Sequence, residues 1–89
     1  MNVKFEAKFA KDLRAIKNAK HLDKIKDIIN ACKAARDLSE LSQIKKLQGY
    51  DSFYRIRLGD YRIGIEVVED EIIFIRFLHR KDIYKYFPR

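Results

Sequence analysis

The chain has 89 residues, of which 47% are hydrophobic and 37% charged, a balance typical of one small globular domain and not of a disordered segment. Its net charge of +7 favours a polyanionic partner such as nucleic acid. No stretch is long enough and apolar enough to span a bilayer, no signal peptide opens the chain, and a single cysteine excludes an internal disulfide. We therefore expect a cytoplasmic protein without a membrane partner.

The first part of the chain predicts a short strand and then two helices. Residues 1–5 alternate as a strand does, and from about Ala7 the apolar residues recur at helical spacing. A break at residues 18–20 precedes a second helix, and Cys32 falls within the apolar stripe of that helix. We therefore interpret Cys32 as a small buried hydrophobe and not as a nucleophile.

Between Leu38 and Leu47 an apolar residue recurs every third position, a pattern that predicts a short helical turn or a packed loop leading into the sheet. Lys45 and Lys46 lie near the end of this segment. A lysine pair alone indicates a solvated surface, but beside further cations it would extend a positive field that holds phosphate.

The central segment predicts a β-hairpin around which the rest of the chain is arranged. Residues 53–58 and 61–67 alternate in polarity, and Gly59-Asp60 suits a two-residue turn between them. With that loop, Arg57 lies opposite Arg62 and Arg55 lies opposite Gly64. The apolar side chains then share one face of the hairpin, and the arginines share the other.

Three arginines on one face of a hairpin repel one another, and like charges placed opposite in a sheet are destabilising. An anionic ligand would remove that penalty, and phosphate matches the guanidinium fork best. The alternative interpretation is a solvated strand face that Glu66 partly neutralises.

After an acidic turn, residues 72–78 form a nearly continuous apolar run that indicates a central strand covered on both faces. Arg76 interrupts this run and either emerges at an edge or pairs with Glu66 or Glu71. The tail predicts one short helix ended by Pro88. The order β-α-α-β-β-β-α predicts a small, single-domain α+β fold: an N-terminal strand, a helical hairpin, a three-stranded antiparallel meander with the arginine face open, and a short C-terminal helix.

The residues that could carry chemistry are the arginines of the hairpin together with His79, Arg80 and Tyr84. Cleavage of RNA requires a base for the 2′-hydroxyl, cations that hold the phosphate, and an acid for the departing oxygen. Arginines stay protonated, so they serve only the second requirement, and Tyr84 and His79 are the candidates for proton transfer. The sequence offers too few histidines and cysteines for a zinc site and no phosphate-binding glycine loop, and we expect no metal or cofactor.

Three blocks closely resemble the RelE/ParE family of bacterial type II toxins: residues 46–49 (KLQG), 54–63 (YRIRLGDYRI) and 78–84 (LHRKDIY). The similarity extends over essentially the whole chain. It implies a fold similar to that of microbial ribonucleases and a cognate antitoxin encoded nearby. In the RelE branch it also implies cleavage of mRNA in the ribosomal A site, through 2′-hydroxyl attack that gives a 2′,3′-cyclic phosphate.

Carried over residue by residue, the resemblance implies site roles that fall on particular positions. Arg55 and Arg57 correspond to the basic positions of the second family strand, and Arg62 to the arginine of the third. The basic residue after the last strand corresponds to Arg80, with Lys81 as the substitute, and the catalytic tyrosine to Tyr84; some relatives use a histidine near the chain end, which keeps His79 as a candidate.

The chain departs from the RelE pattern at the second strand, and this departure does not by itself distinguish the two branches of the family. Where RelE has lysines on the second strand this chain has arginines, so proton transfer falls to Tyr84 or His79. The ParE branch shares the fold but inhibits DNA gyrase without cutting RNA. The tyrosine and the basic cluster favour the nuclease, and the gyrase inhibitor is the alternative.

Overall fold

The backbone forms one five-stranded sheet with helices packed on it, and the computed structural model describes residues 1–88. The elements follow in the order β1 (Asn2–Phe5), α1 (Ala7–Arg14), α2 (Ala19–Ala34), a 3₁₀ turn (Leu38–Glu40), β2 (Ile44–Lys46), β3 (Phe53–Leu58), β4 (Tyr61–Val68), β5 (Glu71–His79) and α3 (Ile83–Tyr86). The sheet order is β1-β5-β4-β3-β2, with β1 parallel to β5 and the other pairs antiparallel. The predicted α+β fold with its meander of β3, β4 and β5 is confirmed.

The central hairpin has the predicted register. Arg57 lies opposite Arg62, and Arg55 lies opposite Gly64. Gly59 has a φ of +58°, which fits the first central position of a type II′ turn, where glycine is favoured because it lacks a Cβ. The two-residue turn therefore sets which side chains share a face.

The segment before β3 differs from its prediction. Leu38–Glu40 forms a single 3₁₀ turn as expected, but Ile44–Lys46 is a strand that pairs with β3, so the sheet has a strand that the sequence analysis assigned to a turn or loop. Three residues are too few for alternation to be told from a three-residue repeat. The shortness and the two lysines are typical of an edge strand.

The main core lies between the helices and one face of the sheet. Phe9 of α1 packs against Phe74 of β5 with ring centroids 5.3 Å apart, and Cys32 of α2 is completely buried. Burial of each such side chain stabilises the fold by about 1.5–3 kcal/mol. The fully packed members of this core are Phe9, Ile25, Cys32, Ile56, Leu58, Ile63, Ile65, Ile72, Phe74 and Phe77.

A second, smaller core lies on the opposite face of the sheet and consists of Leu47, Ile75, Ile83 and Phe87. The expectation that this face stays open is therefore wrong for the part that the smaller core covers. A Cβ placed on Gly64 would come within 2.6 Å of the Phe87 ring, so the glycine makes room for the C-terminal segment on the sheet. The part of this face that carries the three arginines is not covered by the smaller core.

Arg76 pairs with neither of the glutamates considered from the sequence. β5 has one extra residue, Ile75, where its register with β4 shifts beside Gly64, which is a β-bulge. Beyond the bulge β1 has ended, and Asp12 of α1 accepts the Phe77 N–H at 2.9 Å and the Arg76 guanidinium at 2.8 and 3.1 Å. The Arg76 guanidinium also lies 5.8 Å from the centre of the Tyr86 ring.

None of the helices within residues 1–88 combines the length and the apolar character needed to cross a membrane.

Candidate functional site

The outer face of the central hairpin brings three arginines together. Arg55 and Arg57 lie two positions apart on β3 and therefore share a face, and Arg62 lies on β4 directly across from Arg57. All three point away from the helices. Among the residues that the structure describes, none of the three has a carboxylate within ion-pair distance. Glu66 accepts a hydrogen bond from Ser52 at 3.2 Å instead of neutralising the cluster.

Arg62 is the most constrained member of the cluster. Its Nη1 donates hydrogen bonds to the carbonyl oxygens of Gly59 at 2.8 Å and Tyr61 at 2.9 Å. Burial lowers the pKa of Arg62, and the charges of Arg55 and Arg57 lower it further, while Tyr84 acts in the opposite direction. The guanidinium stays protonated. A ligand anion would therefore relieve the mutual repulsion of these charges.

Tyr84 lies beside this cluster in an open groove of about 370 Å³. Tyr84 is 64% exposed, so a ligand in the groove can reach its phenol. Lys45 of β2 lies opposite Arg55 of β3 and brings a further cation to the same groove. The groove is lined by Lys45, Lys46, Leu47, Gln48, Tyr50, Arg55, Tyr84, Phe87 and Pro88.

The position of Tyr84 depends on its neighbours in α3. Ile83 is fully buried and Phe87 is almost so, and both belong to the smaller core on the outer face of the sheet. A four-residue helix has no intrinsic stability, so these two side chains hold it in place. The phenol of Tyr84 then projects from a fixed base.

His79 is not brought to the arginine face. It lies opposite Tyr61, and the two rings meet edge-on at 5.4 Å on the side of the sheet that the helices cover. Its Nδ1 accepts the N–H of Lys81 at 3.2 Å, and Lys81 itself is exposed in the turn before α3. His79 and Tyr84, the two candidates for proton transfer, therefore lie on different faces of the sheet.

Arg80 lies at the hairpin end of the cluster. Its N–H donates to the Asp60 carbonyl at 2.7 Å, which ties the end of β5 to the Gly59-Asp60 turn. Its guanidinium is 3.8 Å from the Asp60 carboxylate, with both side chains exposed, so this ion pair is weak. Arg80 is near enough to Arg62 for its charge to contribute to the lowered pKa of Arg62.

Two groove residues with hydrogen-bonding side chains were missed from the sequence, Gln48 and Tyr50. The available signal was Gly49, which has a φ of +87° and occupies the turn that carries both of them to the groove. Lys46 was expected beside Lys45. Lys46 does line the groove. In the strand register, however, it lies opposite Tyr54, which belongs to the apolar face of the hairpin and not to the arginine face.

Cys32 lies far from this chemistry in the main core. Burial raises the pKa of its thiol to about 11, and the N-terminal ammonium opposes that effect. Within residues 1–88, no three His, Cys, Asp or Glu side chains cluster in a way that would hold a metal ion.

Comparison with known proteins places these observations in a family. Residues 3–84 match the model of the ParE toxin of type II toxin-antitoxin systems. The toxin RelE3 of Methanocaldococcus jannaschii is 52% identical over 90 residues, which cover 99% of this chain and all of the relative.

Two solved structures have the same fold. One is a RelB-RelE antitoxin-toxin complex from Methanococcus jannaschii, with a TM-score of 0.82, 48% identity and coverage of 96% of this chain and 99% of the matched one. The other is a YoeB dimer from Staphylococcus aureus, with a TM-score of 0.72 over 89% of this chain and 95% of the matched one, and at 17% identity it supports the fold alone. The chain is therefore a toxin of the RelE/ParE family of type II toxin-antitoxin systems.

Proposed function

We propose that the chain is a ribosome-dependent mRNA endoribonuclease that inhibits translation. The observation that carries the proposal is an exposed phenol, Tyr84, which shares one groove with Arg55 and lies within electrostatic reach of Arg62. A groove that joins a proton-transfer group to uncompensated cations has the two components that phosphodiester cleavage needs. The relative named RelE3 supports the nuclease branch.

In the proposed mechanism the arginines and the phenol have separate tasks. Arg55 and Arg57 hold the phosphates on either side of the scissile bond, with Lys45, Lys46 and Lys81 extending the positive field. Arg62 and Arg80 stabilise the charge that develops on the phosphorus-bound oxygens as the 2′-oxygen attacks. The 2′-oxygen forms a bond to phosphorus, the bond to the 5′-oxygen breaks, and a 2′,3′-cyclic phosphate remains.

The proton steps are assigned to Tyr84. Its phenol oxygen takes the proton from the 2′-hydroxyl and a proton passes from Tyr84 to the departing 5′-oxygen, so the residue returns to its starting state. His79 is the less favoured candidate, because it pairs with Tyr61 on the helix-covered side and is not among the residues that line the groove.

The partners follow from the same surface. We propose a cognate antitoxin whose acidic segment neutralises the arginine face, by analogy with the complex from Methanococcus jannaschii, where a toxin and an antitoxin occur together. The ribosome and its mRNA are the proposed targets, and the cytoplasm is the proposed location because translation occurs there.

A second candidate is inhibition of DNA gyrase without RNA cleavage, because the matching family model is named for ParE. Purified chain would then block gyrase supercoiling, and induced cells would form filaments while translation continued. Under the nuclease proposal supercoiling is unaffected and translation stops first.

The nuclease proposal is tested by primer extension on mRNA from a translating extract. Tyr84→Phe removes only the hydroxyl and should reduce cleavage by about 10²- to 10⁴-fold, and Arg62→Ala by about 10²- to 10³-fold. Tyr86→Phe is the matched control, since that phenol is also exposed but lies over Arg76. Cleavage by Tyr84→Phe and Arg62→Ala at the wild-type rate would show that the roles are wrongly assigned.

A further inference from the structure

The groove that contains Tyr84 has a second exposed aromatic side chain, Tyr50, to which the mechanism above assigns no task. Tyr50 is 44% exposed and lines the groove together with Arg55 and Tyr84. It belongs to neither of the two packed cores. Part of its ring is therefore available to a ligand.

The turn that carries Tyr50 is a hydrogen-bonded four-residue turn that begins at Leu47. The Tyr50 N–H donates to the Leu47 carbonyl at 3.3 Å, and Gly49 at φ +87° occupies the third position of that four-residue turn, as in a type II turn. Leu47 is buried in the smaller core and anchors one end of the turn.

The ring of Tyr50 is also held in place. It meets Phe53 edge-on, with centroids 5.5 Å apart and an interplanar angle of 89°. In an edge-to-face contact at most one face of either ring is covered, so at least one face of the Tyr50 ring stays free of Phe53. An aromatic ring fixed by its surroundings loses little entropy when a planar ligand stacks on it.

A positive groove with aromatic rings is the general arrangement for binding single-stranded nucleic acid, because the cations follow the backbone while unstacked bases lie on the rings. In this groove Arg55 and Lys45 supply the charge next to Tyr50. The volume of about 370 Å³ lies in the range of sites that enclose one small ligand. A nucleotide whose phosphate contacts Arg55 would therefore meet the Tyr50 ring with its base.

We propose that Tyr50 is the stacking platform for a nucleobase of single-stranded RNA bound in this groove, next to the phosphate that Arg55 holds. The inference rests on the proposed function, because it names the substrate contact of the same site. It adds a binding residue outside the arginine and tyrosine set, and this residue selects an unpaired, unstacked base.

The chain contains no tryptophan, so one introduced at position 50 is a specific reporter. The probe is a short single-stranded RNA with 2′-O-methyl groups, which cannot be cut by 2′-hydroxyl attack. Binding should quench the fluorescence of Tyr50→Trp. It should not quench that of Tyr86→Trp, the matched control at an exposed position that does not line the groove.

Affinity provides the second measurement. Tyr50→Leu should weaken binding of this RNA by about 5- to 150-fold, and Tyr50→Phe should bind as the wild type does, since stacking needs the ring and not the hydroxyl. With a set of probes that each lack one base, one abasic RNA should bind Tyr50→Leu and wild type equally.

Unchanged affinity of Tyr50→Leu, or an equal loss with every abasic RNA, would overturn the inference, and so would unquenched Tyr50→Trp. Failure of the proposed function is distinguishable: the wild-type chain would then not cleave mRNA on ribosomes, whatever the outcome of the stacking measurements. If the wild-type chain cleaves mRNA but the stacking measurements give these contrary results, only the role of Tyr50 is refuted.

Discussion

At the scale of single residues, Cys32 illustrates how position decides chemistry. A lone cysteine is either a reactive thiol or a small apolar side chain, and its place in the helical stripe favoured the second. The structure confirms this interpretation, because Cys32 has no exposed surface and its burial raises the pKa of the thiol to about 11. A thiol with this pKa is not a nucleophile near neutral pH.

The raised pKa predicts a loss of stability in alkali. The thiol has a pKa of 9.0 in the unfolded chain and of about 11 in the folded chain. The contribution of the neutral, buried thiol to the free energy of unfolding is therefore fully present below about pH 9 and is lost as the pH rises towards 11. Urea unfolding at pH 8 and at pH 10.5 should show the advantage of wild type over Cys32→Ala shrinking by about 2 kcal/mol. Other groups titrate alike in both chains, so an advantage that does not change with pH would contradict the prediction.

At the scale of elements, the packing of the C-terminal segment on the sheet depends on Gly64 of β4, which has no side chain. Gly64→Ala would place a Cβ 2.6–2.7 Å from the Phe87 ring, and a ring so close must shift. We expect a loss of about 1–3 kcal/mol in the free energy of unfolding and weaker mRNA cleavage, because α3 carries Tyr84. Urea titration and primer extension measure the two effects.

A double variant tests whether the loss of stability in Gly64→Ala arises from the contact with Phe87. In the double variant Gly64→Ala with Phe87→Leu, the smaller side chain at position 87 leaves room for the new methyl group. The two substitutions together should therefore cost less than the sum of their separate costs. Simple additivity would show that the glycine does not act through Phe87.

Asp12 joins α1 to the part of β5 that extends beyond β1 and is paired with β4 alone. It satisfies a backbone N–H and forms a bidentate pair with Arg76, and both side chains are largely buried. Asp12→Ala should reduce the free energy of unfolding by about 2–4 kcal/mol, and Asp12→Asn by less, since the amide oxygen still accepts from Phe77.

The exposed pair between Lys4 and Glu71 is the control for Asp12. Lys4→Ala should change the free energy of unfolding by less than about 1 kcal/mol, because solvent screens this pair. Equal effects of Lys4→Ala and Asp12→Ala in urea titrations would mean that burial does not set the strength of the Asp12 contact.

At the scale of the whole molecule, the net charge of +7 attracts polyanions from any direction, but Arg55, Arg57 and Arg62 concentrate positive charge on one face. Three phosphate contacts to single-stranded RNA predict a slope of about −2 in a plot of log affinity against log salt concentration. Arg57→Ala should flatten that slope by about 0.7. Fluorescence anisotropy at several salt concentrations measures it.

Lys33→Ala removes the same charge from an exposed position in the last turn of α2, on the helix side of the sheet. Its slope should equal that of the wild type. If Lys33→Ala and Arg57→Ala flatten the slope equally, RNA is bound by net charge and not by the arginine face.

Several features of the fold could be predicted because their signals are local. Alternation on both sides of Gly59-Asp60 was sufficient for the register that sets Arg57 against Arg62. The short strand β2 was missed, since three residues carry no clear period. The partner of Arg76 was missed as well, because Asp12 lies 64 positions away and no local pattern links them.

What the sequence determined by itself is the set of chemical groups and the face of the hairpin on which the arginines lie, because strand alternation and turn chemistry act between near neighbours. Only the tertiary structure decided that Tyr84 and Tyr50 line one groove with Arg55 and that His79 faces the other side. Those positions depend on the packing of Phe87 over Gly64 and on the turn at Gly49, where contacts between distant parts of the chain fix the geometry.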